Sequence, residues 1–188
     1  MNIVTISGSP SSSSRLAALL AFVHESLAAS GLSVDWINVR ELPAVDLVCG
    51  NANSAAIQQA TERVRNADAV IVGTPVYKAS YTGLLKTYLD LLPMHSFEGK
   101  VVLPLAIGGT QSHLLALDYA LKPLLAVLGA THILRGVFAL ERHVVKKPDG
   151  SVELDNEIAE RLSAALVELV ADVYNMSRTV YAGGGTTS

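Results

Sequence analysis

The sequence is poor in charged residues, aromatic residues and cysteine. Charged side chains make up 16% of its 188 residues and aromatic ones 5%, whereas 50% of the chain is hydrophobic. A net charge of −3 gives no basic surface for nucleic acid or an anionic membrane, so we expect neither partner. Cys49 is the single cysteine and cannot form a disulfide within the chain, which is typical of a cytoplasmic protein.

Several sequence signals are also absent. No apolar run reaches the roughly 18 residues that span a bilayer, and no basic segment precedes the first apolar one. We therefore expect no membrane span and no signal peptide. The loop G-x-x-x-x-G-K-[ST] of triphosphatases and the dinucleotide fingerprint G-x-G-x-x-G do not occur. The five histidines are scattered and lack a cysteine cluster, so we predict no metal site.

Short apolar runs alternate with longer segments of helical periodicity, which is the pattern of a parallel α/β sheet. Pro104 within the fourth run cannot donate to a central ladder, so we expect a local irregularity there. Residues 1–178 are predicted to form one domain, followed by a disordered tail at 179–188. The predicted strands are 2–7, 34–39, 69–72, 101–107 and 131–138, and the predicted helices are 16–27, 54–66, 83–92, 112–128 and 158–173.

This alternation favours a doubly wound parallel sheet of five strands in the order 2-1-3-4-5. Ligands of such sheets bind beyond the carboxyl ends of the strands, at the switch between strands 1 and 3. We therefore expect a ligand site among three loops, namely those that follow Ser7, Gly73 and Ile107.

The first of these loops combines a serine run with a cation at the start of a helix. Helix N–H groups, the hydroxyls of Ser9 and Ser14, and the guanidinium of Arg15 together suit a phosphate monoester. The alternative is a flexible serine linker that merely supplies a helix cap.

The other two loops carry features of a site for a flat ring. Pro75 stiffens the second loop and Tyr77 offers a flat apolar face, while Lys78 either stabilises negative charge on a ligand or is a solvated surface lysine. Gly108 and the glycine after it permit close approach of a ligand to the third loop. His113 either hydrogen-bonds that ligand or faces water.

Together the three loops resemble the NADPH-dependent FMN reductase family, and within it the small reductases that supply reduced FMN to alkanesulfonate monooxygenases. The similarity extends to about Phe138. The segments that carry it are Gly8-Ser9-Pro10, Ser14-Arg15, Thr74-Pro75-Val76-Tyr77-Lys78, Gly108-Gly109-Thr110 and Asp118-Tyr119-Ala120-Leu121-Lys122-Pro123.

The resemblance implies a flavodoxin-like fold and hydride transfer from NAD(P)H to FMN, with no catalytic acid–base residue. It implies a homotetramer that delivers reduced FMN to a monooxygenase of sulfonate metabolism. Many relatives carry arginine where this chain has Ser11, which predicts weaker retention of FMN. The implied FMN-binding residues are Ser9, Ser14 and Arg15 for the phosphate, and Pro75, Val76, Tyr77, Lys78, Gly108, Gly109 and Thr110 for the ring.

The predicted helix 112–128 is apolar on nearly all sides, which indicates burial between subunits. Tyr119 within it resembles an inserted tyrosine that makes a π-bulge near the flavin in some of these reductases; an ordinary interface tyrosine is the alternative. Tyr119 and Lys78 are therefore candidate modulators of the reaction.

Three other functions remain compatible with the sequence. They are a quinone or azo reductase that retains its FMN, a flavodoxin-type electron carrier, and a non-catalytic α/β binding module. The choice between NADH and NADPH also stays open, because no loop carries a recognisable site for the ribose 2′ position.

Overall fold

Parallel strands form the centre of the molecule, and a computed structural model describes residues 1–147 and 151–183. Apolar runs rich in Val and Ile become the central strands, as expected where helices cover both faces of a sheet. The strands are β1 (Asn2–Ser7), β2 (Ser33–Asn38), β3 (Ala69–Pro75), β4 (Val101–Gly108), β5 (His132–Ile133), β6 (Val137–Leu140), β7 (Val144–Lys146) and β8 (Val152–Leu154).

The main sheet has the order β2-β1-β3-β4-β5, and β6 pairs with β4 beyond the end of β5. All of these pairs are parallel. The predicted fold class and strand order are therefore confirmed. The antiparallel pair β7–β8 lies in a segment for which we had no predicted strand.

Helices cover both faces of the sheet. Because successive strand residues point to opposite faces, Ile3 packs with the first and last helices of the chain, whereas Val4 and Ile6 pack with the helices between them. Within the described residues, no helix combines the length and apolar character needed to cross a membrane. The helices are α1 (Arg15–Ala29), α2 (Ala44–Cys49), α3 (Ala55–Arg65), α4 (Gly83–Leu89), α5 (Lys122–Val127) and α6 (Asn156–Gly183).

The predicted helix 112–128 is wrong as one continuous element. A 3₁₀ turn at Gln111–His113 is followed by a π-helix at Leu117–Leu121 and then by α5. At the end of the chain, α6 continues to Gly183, so residues 179–183 of the expected disordered tail are helical. Residues 184–188 lie outside the described part of the chain.

Pro104 explains why the predicted strand 131–138 is interrupted. On its outer side β4 pairs with β5 at Val101 and Val102 and with β6 from Leu105 onward. Pro104 has no N–H to donate, and the chain opposite it turns at Gly136 with φ +84. A Cβ at Gly136 would lie 2.7 Å from the Pro104 carbonyl oxygen. The expected irregularity thus takes the form of a break between β5 and β6.

We predict that Gly136→Ala lowers the free energy of unfolding by about 3 kcal/mol, because left-handed strain and a steric clash add. Gly31 is the matched control: its φ is +75, but among the described residues no atom lies within 4 Å of the corresponding Cβ position. Gly31→Ala should therefore cost only about 1 kcal/mol. Urea unfolding at one fixed protein concentration measures both values, and equal losses would contradict the role given to Pro104.

Candidate functional site

The carboxyl ends of β1, β3 and β4 lie at one edge of the sheet, because these parallel strands are neighbours. Three loops leave this edge: the first loop (residues 8–14), the second loop (76–82) and the third loop (109–116). The first leads to α1 on one face of the sheet, and the second leads to α4 on the other. Ligands of open α/β sheets bind in the crevice at such a divergence, and the structure brings the three predicted loops together there.

Serine side chains fix the conformation of the first loop. Ser9 is buried; its Oγ accepts a hydrogen bond from the Ser11 N–H at 3.2 Å and donates to the Ser11 carbonyl at 3.1 Å. Ser14 caps α1, because its Oγ accepts from the Ala17 N–H at 3.1 Å. A capping hydroxyl keeps its own proton for another partner. Ser14 can therefore still donate to a phosphate, whereas Ser9 shapes the loop.

The amino end of α1 concentrates positive charge beside this loop. Its unpaired N–H groups form the positive pole of a 15-residue helix. The first turn reads Arg15-Leu16-Ala17-Ala18, so its own side chains contribute no negative charge. Arg15 donates through Nη1 to Oε2 of Glu141 at 3.2 Å and stays partly exposed. A helix end and a guanidinium side by side fit a phosphate monoester.

Gly8 and Thr82 join the first loop to the second. The Thr82 hydroxyl is buried; it donates to the Gly8 carbonyl at 2.7 Å and accepts from the Leu85 N–H at 3.0 Å, which caps α4. The Gly8 N–H donates to the Gly73 carbonyl at 2.8 Å. A Cβ at Gly8 would lie 2.6 Å from the Cβ of Leu85. Only glycine permits this approach, and it holds the two loops in register.

The second loop is a tight turn with left-handed backbone at its tip. Tyr77 and Ser80 exchange backbone hydrogen bonds of 2.9 and 3.2 Å. Between them Lys78 and Ala79 have φ values of 50 and 64, an uncommon conformation for residues with a side chain. Such backbone strain is concentrated at functional sites in proteins. The turn leaves Tyr77 53% exposed and places Lys78 at the tip.

The third loop lies against the second. The Val76 N–H donates to the Ile107 carbonyl at 2.8 Å, so the pairing of β3 with β4 continues into the loops. A Cβ at Gly108 would lie 3.0 Å from the Phe138 ring and 3.6 Å from the Cβ of Val76. Thr110 accepts from the Ser112 N–H at 3.3 Å and starts the 3₁₀ turn that follows. Gly108 is needed for close packing, while Gly109 is exposed.

His113 in the third loop and Tyr119 beyond it have unusual surroundings. Within the described residues, the buried Nδ1 atom of His113 has no hydrogen-bond partner. Tyr119 is central in the π-helix Leu117–Leu121 and is 79% exposed. The π-helix expected around Tyr119 is thus confirmed, and its tyrosine lies on the surface of the single chain.

Sequence reasoning missed two residues of this site. Thr82 carries the usual signal of a helix cap, a threonine before an apolar helix, and could have been found. Glu141 follows β6, and its contact with Arg15 spans 126 residues of sequence. No local pattern marks such a contact. Thr82 acts on Gly8, which belongs to a segment that carries the family resemblance, and Glu141 acts on the predicted site residue Arg15.

Comparison with known proteins agrees with this geometry. The family model for NADPH-dependent FMN reductase matches residues 1–144. An FMN reductase (NADPH) of Escherichia coli K12 is 48% identical over 145 residues, which cover 77% of this chain and 76% of the relative. An FMN reductase (NADPH) of Pseudomonas putida KT2440 is 44% identical over 170 residues, covering 88% and 85% of the two chains.

Two solved structures extend the comparison. The apo crystal structure of an NADH:FMN oxidoreductase superposes with a TM-score of 0.79 at 38% identity, covering 89% of this chain and 87% of the other. A flavodoxin from the domain Archaea gives a TM-score of 0.62 at 13% identity, covering 93% and 99%. The second likeness concerns the fold alone, which is flavodoxin-like.

We predict that Thr82→Val lowers the free energy of unfolding by about 2 kcal/mol, because it leaves the buried Gly8 carbonyl and the Leu85 N–H without their partner. Thr82→Ser keeps both hydrogen bonds and should lose less than half as much. Thr87→Val is the matched control, because among the described residues the Thr87 hydroxyl bonds only within its own helix, to the Leu84 carbonyl at 2.8 Å. Chemical denaturation of the three variants tests this, and equal losses at Thr82 and Thr87 would refute the coupling of the loops.

Proposed function

The chain belongs to the NADPH-dependent FMN reductase family, and from that premise we propose that its three loops bind FMN exchangeably and release the reduced flavin to a monooxygenase. It is an NAD(P)H:FMN oxidoreductase. FMN, when bound, supplies the redox chemistry, since its N5 accepts a hydride from C4 of the nicotinamide. The observation that carries the proposal is the positive amino end of α1, with Arg15, at the edge where the loops meet.

The phosphate of FMN would bind at the first loop. Ser14 has a free hydroxyl proton, Arg15 offers a planar charged fork, and the N–H groups of α1 point the same way. Ser9 supports this arrangement from beneath by fixing the backbone at Ser11. Each group serves to orient the flavin, and none needs to exchange a proton with it.

The isoalloxazine ring would lie between the second and third loops. Pro75 and Val76 form an apolar floor at the end of β3, and Tyr77 adds an exposed flat ring. On the other side Gly108, Gly109 and Thr110 let backbone approach the ring closely. The ammonium group of Lys78, at the tip of the strained turn, would stabilise negative charge on the ring.

Release of the flavin, rather than its retention, is supported by the small amount of positive charge in the first loop. The family resemblance implies arginine in many relatives at the position of Ser11, and Arg15 is already paired with Glu141. A site that holds its ligand loosely suits an enzyme whose product acts elsewhere. We therefore propose a flavin-dependent monooxygenase as partner, with sulfonates as its substrates, in the cytoplasm.

Steady-state oxidation of NADPH and NADH, with and without added FMN, tests this function. We expect turnover that depends on free FMN. Arg15→Gln should raise the KM for FMN about tenfold or more and leave the KM for riboflavin unchanged, because a charged hydrogen bond contributes about 1.5–3 kcal/mol. Arg65→Gln, at an exposed ion pair on α3, is the control.

Two other outcomes would contradict the proposal. If FMN co-purifies with the protein and the protein reduces quinones, it is a reductase that retains its flavin. If it binds FMN but oxidises neither nucleotide, it is an electron carrier.

We further propose that the chain assembles as a homotetramer through the surface around the π-helix. Leu115 and Tyr119 are 57% and 79% exposed there, and Val127 of α5 is 63% exposed. Apolar side chains clustered on one surface segment favour contact with another protein. This surface begins at the third loop, so assembly would also shape the flavin site.

Leu115→Glu should convert the tetramer into a smaller species, because it places a charge in the proposed interface. Val167→Glu is the control, since Val167 on α6 is equally apolar and 71% exposed. Analytical ultracentrifugation of both variants measures the outcome. A wild-type monomer, or an unchanged assembly for Leu115→Glu, would refute the interface.

A further inference from the structure

The ion pair between Arg15 and Glu141 joins the start of α1 to the turn after β6. Arg15 Nη1 lies 3.2 Å from Glu141 Oε2, and their side chains are 42% and 54% exposed. Exposed pairs of this kind contribute only about 0–1 kcal/mol to stability. The pair can therefore open without loss of the fold.

Topology explains why Glu141 reaches the first loop. β6 is parallel to β4 and ends at Leu140, so the residue that follows lies at the same edge of the sheet as the three loops. A 3₁₀ turn at Glu141–His143 begins there. The Leu140 N–H donates to Nδ1 of the buried His143 at 3.2 Å, which fixes this turn.

The surroundings of Arg15 call for an anion. A cation at the amino end of a helix is repelled by the positive pole of the helix, and the first turn of α1 brings no acidic residue to offset it. Glu141 supplies that negative charge from a distant part of the sequence. A phosphate monoester offers the same type of partner, two acceptor oxygens for a guanidinium, with more charge.

We propose that Glu141 is an internal competitor of the flavin phosphate: its carboxylate holds Arg15 and lowers the affinity of the site for phosphorylated flavins. The inference rests on the proposed phosphate site at Arg15. When the phosphate binds, it either displaces the Glu141 carboxylate from Arg15 or shares the guanidinium with it. In the second case the two negative groups repel each other. When the flavin leaves, the ion pair between Glu141 and Arg15 forms again, so that the guanidinium is paired in both states.

Glu141 therefore acts on flavin affinity through Arg15, as a positioning residue, and two properties of this effect can be measured. Its effect depends on the phosphate, so it discriminates FMN from riboflavin, which has the same ring and no phosphate. Its effect also weakens as salt screens exposed charges. A residue that merely stabilised the turn after β6 would change the binding of both flavins alike.

The test measures dissociation constants of FMN and of riboflavin by quenching of flavin fluorescence, for wild type and Glu141→Gln at low and high salt. We expect Glu141→Gln to bind FMN about two- to fivefold more tightly, with riboflavin unchanged and the difference reduced at high salt. Glu141→Asp keeps the charge and should remain close to wild type. Glu98→Gln is the charge control, because Glu98 is exposed near the amino end of β4, and it should change neither constant.

The outcomes separate the two proposals. The deciding quantity is the ratio of the dissociation constant of riboflavin to that of FMN. If this ratio exceeds one in wild type but Glu141→Gln leaves it unchanged or lowers it, competition by Glu141 is refuted and the phosphate site stands. If Arg15→Gln also leaves the ratio unchanged, or wild type does not bind FMN, both proposals are refuted. If Glu141→Gln loses its effect in an Arg15→Gln background, the two residues act through each other.

Discussion

The hydrogen bond from the Thr82 hydroxyl to the Gly8 carbonyl is the constraint on which the site depends. It joins the loop after β1 to the cap of α4 at 2.7 Å, and it forms only because Gly8 has no side chain to meet Leu85. The first and second loops lead to opposite faces of the sheet, and without this hydrogen bond their positions would not be coupled. One buried contact therefore sets the spacing between the two regions proposed to hold the phosphate and the ring.

Predictions from the sequence succeeded where the determining contacts repeat along a single element. The predicted helix 16–27 lies within α1, and its residues at helical spacing, Leu16, Leu19, Leu20, Val23 and Leu27, are all buried. The strand order followed from the alternation of element types. Prediction failed where a contact across elements decides the backbone. Periodicity gives the same pattern for an α-helix and for one with an inserted residue, so the continuous helix 112–128 was wrong, and the π-helix at Leu117–Leu121 was expected only from the family resemblance of Tyr119. The break between β5 and β6 arises from Gly136 meeting Pro104.

The same distinction applies to the site. The serine run, the segment from Pro75 to Lys78 and the paired glycines are local signals, and the structure gathers them at one edge of the sheet. What sets the balance of charge among them is not local. Glu141 reaches Arg15 only because β6 is parallel to β4 and ends beside it. The balance of charge at the proposed phosphate site is thus set by the topology of the whole sheet, whereas the residues proposed to contact the phosphate lie in the first loop and the first turn of α1.

The interrupted outer strand has a consequence for solubility. An exposed, regular edge strand can recruit another chain by strand addition, which leads to aggregation. Here the side of β4 away from β3 is covered by strands of two and four residues, separated at the proline. A second molecule would find neither a continuous row of backbone partners nor a fixed register along them. A chain with half of its residues hydrophobic is thereby less exposed to fibre formation at this edge.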